Sequence, residues 1–337
     1  MKTLACLALI SFALTTYTLT TALAQAPVKL LEVALERSVP YQLARSDLKS
    51  ASDKLERLKA DPLAVKPELL EAKLGLESAN VNLLSSKLDV RKNLTKELFA
   101  WLEAKDSLDL AKLKTGLAQA NLAAAQVRFK SGSINQLEVN RSEADAKSAV
   151  IDQDGAETDL DGAAGNLTTR LGSLPAMNLA LEPTPKPARA MLEAGLGSHP
   201  RVVEAKGRVE RARLDLEIKD NEFTAQVEVS TAKTALSNAQ KTFEDSKALV
   251  KVALSNAWDA YSNAVKAVPV RERSRGVAKD DFEAQQARFK KGLISKLAVL
   301  QSQVSLEQAE LALRQAQHRL ALSVMELAVT ANTDLWK

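Results

Sequence analysis

The feature that most constrains the fold is a proline-free stretch of more than sixty residues between Pro67 and Phe129. Pro67 suits a first helical turn, because its missing N–H would have no intrahelical partner there. Apolar residues then recur at alternating steps of four and three, which is a heptad seam: Leu113, Leu117, Ala120, Ala124 and Val127. At about 1.5 Å per residue this helix would be roughly 90 Å long, far longer than a globular domain needs.

A second feature is an internal repeat. The segment R-F-K-S-G-S-I-N-Q-L-E-V at residues 128–139 matches R-F-K-K-G-L-I-S-K-L-A-V at residues 288–299, with a constant shift of 160 residues. The same shift relates Pro40 to Pro200, while residues 31–35 are echoed one position out of register by residues 192–196. Trp101 is echoed by Trp258 within a few residues. One unit is therefore predicted to be duplicated in tandem.

This repeat predicts the domain organisation. Residues 25–172 form a first helical-hairpin unit with its tip near 131–136, and residues 190–337 form a second with its tip near 291–296. Each unit has a helix, a short break, a very long helix, a glycine turn and a return helix. The first return helix ends at Leu171-Gly172 as a glycine cap, and Pro269 should kink or break the second long helix. Residues 173–189 are a proline-rich linker, extended or partly strand.

Residues 1–24 are predicted to be a secretory signal peptide. Lys2 precedes an apolar stretch that ends in the small residues Ala22-Leu23-Ala24, which is the usual layout of such signals. An uncleaved membrane anchor is the alternative, but five threonines interrupt the stretch. The one cysteine, Cys6, lies inside the signal, so the exported chain would contain no thiol and would depend on packing alone.

Composition excludes several functions. Charged residues make up 26% of the chain with acids and bases interleaved, and aromatic residues only 4%, which is typical of long helices and unlike nucleic-acid binders.

His199 and His318 have no second histidine at helical spacing, so we expect surface or capping roles and no metal site. Neither phosphate-binding loops nor nucleophile motifs occur, so we expect no enzyme and no cofactor. Apolar seams on both hairpin arms predict a homo-oligomer, since they need partner helices.

The duplicated pattern R-F-x-x-G-x-x-x-x-L-x-V stands at the predicted turn between two long helices in each unit, and an L-x-x-A-L segment and a proline precede it. This order of motifs resembles the TolC family of outer-membrane efflux proteins. The resemblance extends from Leu31 to about Ala331. The resemblance implies an all-α chain of long antiparallel coiled-coil hairpins, two tandem repeats per chain, that forms a TolC-like α-barrel tunnel as a homotrimer. It also implies that the glycine tips dock a periplasmic adaptor (membrane fusion) protein that works with an inner-membrane pump.

Carried over by position, the resemblance assigns adaptor docking to two sets of tip residues. A plain helix–helix turn is the alternative role for the same positions, with glycine supplying a positive φ. The first set is Arg128, Gly132, Ser133, Ile134 and Leu137, and the second is Arg288, Gly292, Leu293, Ile294, Ser295 and Leu297.

Two departures from the family pattern stand out. Family members commonly place aspartates just past the second tip, where this chain has Ala298 and Gln301, and only Glu138 keeps a tunnel-entrance acid. Fewer fixed charges would make the entrance less cation-selective. The family also inserts strand pairs at the top of each unit, whereas residues 60–67 are too short for them, and residues 223–230 fit either one short strand or a helix. We therefore expect little or no β-barrel, and possible help from a separate outer-membrane element.

Taken together, the sequence predicts an exported protein of the outer membrane or periplasm of a diderm bacterium. Its predicted function is that of a passive efflux-duct component for small molecules or proteins. The alternative is a structural coiled-coil scaffold or spacer of the cell envelope without a through-channel.

Overall fold

The computed structural model describes residues 24–25, 27–176, 182–183 and 185–336. The first half contains four helices: α1 (Val28–Arg37), α2 (Val39–Ala60), α3 (Lys66–Lys130) and α4 (Gln136–Leu171). With 65 residues, α3 is about 98 Å long at the standard helical rise. Pro67 lies in its first turn. The long helix predicted from the proline-free stretch is therefore confirmed.

The second half follows the same order of elements. A short antiparallel pair joins β1 (Ala24–Gln25) to β2 (Glu182–Pro183). Four more helices follow, with a 3₁₀ turn at Leu196–Ser198: α5 (Arg189–Gly195), α6 (Pro200–Lys219), α7 (Gln226–Lys290) and α8 (Lys296–Thr330). Both α3 and α7 contain 65 residues, and their bounds differ by the 160 residues that separate the two sequence motifs.

The helices pack side by side into a long bundle. Helix α3 packs against α4 and α8 along one half of its length and against α2 and α6 along the other, while α7 packs against α8 and α6. Ion pairs fix the α3–α6 contact as antiparallel, since Glu71 meets Arg211 and Glu77 meets Lys206. The turn at residues 61–65 and the loop at residues 220–225 therefore lie at the same end of the bundle.

Two apolar clusters hold the bundle together near its middle. One joins α1, α3 and α4, and the other joins α5, α7 and α8. Leu94 and Leu167 in the first cluster stand 160 residues before Leu254 and Leu327 in the second, and Leu94, Leu167 and Leu327 are fully buried. The two halves thus bury matching positions.

Several local predictions are confirmed. Gly172 caps α4 with φ 84°, and its N–H donates to the carbonyl of Thr168. Apolar seams on the hairpin arms were also predicted, and on α8 such a seam faces the core through Leu313, Ala316, Leu320 and Leu327. The signal peptide prediction falls on residues of which only Ala24 is described.

The structure decides two points that the sequence left open. Pro269 does not break the second long helix, because α7 runs through it. Proline removes one N–H and so leaves the carbonyl of Val265 without its helical donor; both residues are exposed, where water can replace the lost bond. The possible strand at residues 223–230 is not formed, since α7 begins at Gln226 and its Val229 is buried. Among the described residues, no helix is both long and apolar enough to cross a membrane.

Candidate functional site: the paired hairpin turns

The first candidate site is the turn between α3 and α4, at residues 131–135. Gly132 has φ 72°, its N–H donates to Phe129 O at 2.9 Å, and the N–H of Ser133 donates to Arg128 O at 2.9 Å. These two bonds form a Schellman motif, which satisfies the last helical carbonyls and requires a left-handed residue where glycine stands. The turn is therefore rigidly defined by its backbone.

The return helix begins with a side-chain cap. Asn135 Oδ1 accepts the N–H of Glu138 at 3.0 Å, which satisfies one of the N–H groups that a helix start leaves free. Glu138 is exposed in the first turn of α4, where its charge suits the positive end of the helix dipole. Sequence reasoning overlooked Asn135, although a capping residue followed three positions later by glutamate is a recognisable signal.

The second turn, at residues 291–295, repeats this geometry. Gly292 has φ 72°, its N–H donates to Phe289 O at 2.8 Å, and the N–H of Leu293 donates to Arg288 O at 3.0 Å. Ser295 caps α8 by accepting the N–H of Ala298 at 3.4 Å. The two tips therefore share one backbone design.

The side chains at the two tips differ in exposure. Leu293 is 69% exposed and Leu137 is 56% exposed, whereas Ile134, Ile294 and Leu297 are partly buried in their hairpins. The arginines Arg128 and Arg288 are exposed, as is Ser133. The tips therefore present leucines and cations to solvent, while the partly buried isoleucines help to close the hairpin ends.

The contact between α3 and α8 brings the two turns to the same level. Lys92 meets Glu326 at 3.1 Å and Glu103 meets His318 at 2.6 Å. Asp106 meets Arg314 at 2.6 Å. Residue numbers rise on α3 as they fall on α8, so the helices are antiparallel, and the same register places Arg128 opposite the region of Gly292.

His318 corrects a sequence-based expectation. It was expected at the surface or at a helix cap, but it is 8% exposed and its ring stacks on Phe99 with centroids 4.0 Å apart. Its partner Glu103 lies 215 residues away in the chain, so no local pattern could have shown the contact. His199 does cap a helix, because its Nδ1 accepts the N–H of Arg201 at 3.2 Å. Burial and the charge of Arg201 lower the pKa of His199, which favours this neutral acceptor form.

The junction between α3 and α8 also contains perturbed carboxyl groups. Burial raises the pKa of Asp106, and the neighbouring Arg314 offsets this only in part. Burial and then the charge of Glu310 raise the pKa of Glu307. Among the residues that the structure describes, no group of histidine, cysteine and acidic side chains could hold a metal ion. The junction is a set of cross-helix pairs that fixes the relative height of the two hairpins.

Comparison with known proteins gives similarity in structure only. No protein-family model matches the chain, and no curated protein matches it in sequence. The CusC channel, whose structures concern folding and transmembrane channel formation, is 16% identical with a TM-score of 0.68, over 92% of this chain and 96% of that one. The outer membrane protein VceC of Vibrio cholerae is 13% identical with a TM-score of 0.64, over 91% and 96%.

A third similar structure points to the same fold. The CmeC outer membrane channel of Campylobacter jejuni is 11% identical with a TM-score of 0.63, over 92% of this chain and 86% of that chain. The alignments run through nearly the whole of each protein, so both hairpins and their order are shared. The described part of this chain is helical apart from one short strand pair, and it shares the fold of these outer-membrane channels.

Proposed function

We propose that this protein is a TolC-like efflux-duct component, a passive conduit through which small molecules or proteins leave the cell. The observation that supports it most is the shared fold with outer-membrane channels over more than nine-tenths of the chain. Two tandem units, residues 25–172 and 190–337, would each supply one hairpin. The protein would be exported by its signal peptide and would act in the periplasm or at the outer membrane.

The conduit would be a homotrimer. Toward the turns, the helices follow the order α4, α3, α8, α7, so α4 and α7 lie at the edges. Ile151 on α4 is 69% exposed, and Val270 and Val277 on α7 are 62% and 66% exposed. Joining α4 of one copy to α7 of the next is a head-to-tail contact that closes a ring when the rotation allows it. Three copies would give the twelve-helix wall that the resemblance implies.

The two turns would dock a periplasmic adaptor that works with an inner-membrane pump. Supporting this role, both turns are rigid, exposed and level with each other. A simple hairpin closure would not require Leu137 and Leu293 to be as exposed as they are. In this assembly Glu138 would be the acid at the tunnel entrance.

Native mass spectrometry of the purified protein tests the assembly. We expect three copies in the wild type, and smaller species for Ile151→Glu and Val277→Glu, because each buries a charge in an apolar contact. Leu63→Glu is the matched control, since Leu63 is 85% exposed in the turn at the other end and should leave the mass unchanged. A wild-type monomer or dimer would overturn the conduit in favour of an envelope scaffold.

A further inference from the structure

Charge is segregated around the hairpin turns. Acids and bases interleave along most of the chain, but no aspartate or glutamate occurs from residue 110 to 137 or from residue 284 to 306. Eight lysines and arginines lie in those two stretches. Six of the eight sit at or next to the turns: Arg128, Lys130, Arg288, Lys290, Lys291 and Lys296. We call these six residues the basic tip.

The basic tip has no acidic partner of its own. None of its residues forms an ion pair with another residue that the structure describes, although such pairs are frequent elsewhere in the bundle. All six side chains belong to exposed residues. Their charges are therefore available to a binding partner.

Helix stability explains only part of this charge. Arg128, Lys130, Arg288 and Lys290 lie in the last turns of α3 and α7, where cations offset the helix dipole. Lys296 is the first residue of α8, and a cation at that end opposes the dipole. The other return helix instead carries the acid Glu138 in its first turn. The helix dipole therefore does not account for Lys296, since a cation at that end is unfavourable.

The two tips also differ from each other. Residues 287–298 contain four cations and no acid, whereas residues 127–138 contain two cations and one acid. Ser131 and Gln136 of the first turn occupy the positions of Lys291 and Lys296 in the second. The backbone design is the same, so the difference lies in charge alone.

We propose that the second turn is the electrostatic anchor for a protein partner whose docking surface carries carboxylates around apolar side chains. The inference rests on the proposed function, in which that acidic surface belongs to the periplasmic adaptor. Exposed leucine and phenylalanine side chains lie among the cations, since Leu293 is 69% and Phe289 is 41% exposed. A protein surface that combines carboxylates with apolar side chains would complement both features.

The surface fits protein better than lipid. Tryptophan and tyrosine, which favour the interface of a bilayer, are absent from residues 110–137 and 284–306. Phe129 and Phe289 are 42% and 41% exposed, so more than half of each residue is covered by its own hairpin and the remainder is accessible. The rigid Schellman turns likewise suit a fixed protein contact.

The test uses a synthetic, disulfide-closed helical hairpin with four glutamates at its turn, and a twin with glutamines there. Binding to the full chain is followed by fluorescence anisotropy. We expect the glutamate hairpin to bind and to weaken with salt, because exposed charges are screened. The variant Lys290→Glu/Lys291→Glu/Lys296→Glu should bind on the order of tenfold more weakly, as each exposed pair contributes a modest amount.

A matched triple variant controls for net charge. Lys233, Lys241 and Lys251 are exposed on α7 away from the turn, and reversing all three should change binding by less than about twofold, since they lie far beyond a Debye length from the turn. A hairpin with lysines at its turn should bind the Lys290, Lys291 and Lys296 variant better than the wild type, which shows that the variant is folded.

Three results would overturn the inference: equal binding of the glutamine twin, equal effects of the two triple variants, or binding of phosphatidylglycerol vesicles with no binding of the hairpin. Mass measurement on the same samples separates this inference from the proposed function. If the wild type is a trimer but does not bind the synthetic hairpin, only the electrostatic anchor is refuted. If the wild type does not form trimers, the duct is refuted.

Discussion

Asp334 offers the sharpest test of how the segment after α8 is held. Its carboxylate is almost fully buried against α3, where Oδ2 accepts Lys87 Nζ at 2.9 Å and Oδ1 lies 3.5 Å from Arg91. Oδ1 also accepts the N–H of Trp336 at 3.1 Å, and the Arg91 guanidinium stacks on the Trp336 ring. Asp334→Asn keeps the size of the side chain but removes its charge.

The magnitude follows from the exposure of the partners. Removing one member of a wholly buried ion pair costs about 3 to 5 kcal/mol. The Lys87 side chain is 35% exposed, and water can compensate part of its loss, so we expect about 2 to 3 kcal/mol at neutral pH. Glu326→Gln is the control. The ion pair that Glu326 forms with Lys92 is more exposed, and its loss should cost under about 1 kcal/mol.

The cost of Asp334→Asn should depend on pH. Burial raises the pKa of Asp334, but the hydrogen bonds from Lys87 and Trp336 and the charges of Lys87 and Arg91 outweigh it and hold the pKa below its ordinary value. When folding lowers the pKa of a carboxyl group, the stabilisation is complete above the pKa that the group has in the unfolded state. It is lost as the pH falls through the pKa of the folded state. The difference between wild type and variant should therefore be full at neutral pH and shrink below about pH 3.8.

Urea unfolding followed by circular dichroism measures the free energy of unfolding of the wild type and both variants. The protein concentration is held constant, because association would otherwise shift the midpoints. If Asp334→Asn costs no more than Glu326→Gln, or costs the same at all pH values, the buried charge does not hold this segment and the reasoning is refuted.

Other substitutions test the turns and the packing by the same unfolding assay. Gly292→Ala should destabilise the protein by about 1 kcal/mol because the φ of Gly292 is positive. Gly116→Ala, inside α3 with open space around it, should instead stabilise it by about 0.5 to 1 kcal/mol, and stability changes of the same sign in both variants would contradict the turn geometry. Gly195→Ala should destabilise, because a Cβ there would overlap Thr333 Oγ1, and Thr333→Ala should recover part of the loss; no recovery would refute the contact. Leu94→Ala should cost about 2 to 5 kcal/mol, since Leu94 is fully buried in the first cluster and leaves a cavity; a cost under about 1 kcal/mol would show that the cluster is loosely packed.

Local rules predicted much of the fold. The span of α3 followed from a proline-free run that begins at Pro67, and the end of α4 followed from Gly172. Glycine at a left-handed position also located both turns. These features depend on backbone preferences within a few residues, so they can be read directly from the chain.

Long-range packing could not be predicted in this way. The burial of His318 depends on Phe99 and Glu103 of another hairpin. The pairing of Asp334 with Lys87 spans 247 residues. For the same reason, the sequence could not decide between a kink and a break at Pro269. The cost of the proline depends on whether water reaches the helix at that point, which the sequence does not show. The role of the tips depends on partner molecules and is a proposal.

Electron microscopy of the purified assembly tests the central claim most directly. A TolC-like duct should appear as an elongated, three-fold symmetric particle with a continuous lumen, and with the turns containing Gly132 and Gly292 at one end, where a label on Leu293 would locate them. A solid rod, or a particle of one or two copies, would contradict the duct and leave the scaffold as the function that the fold supports.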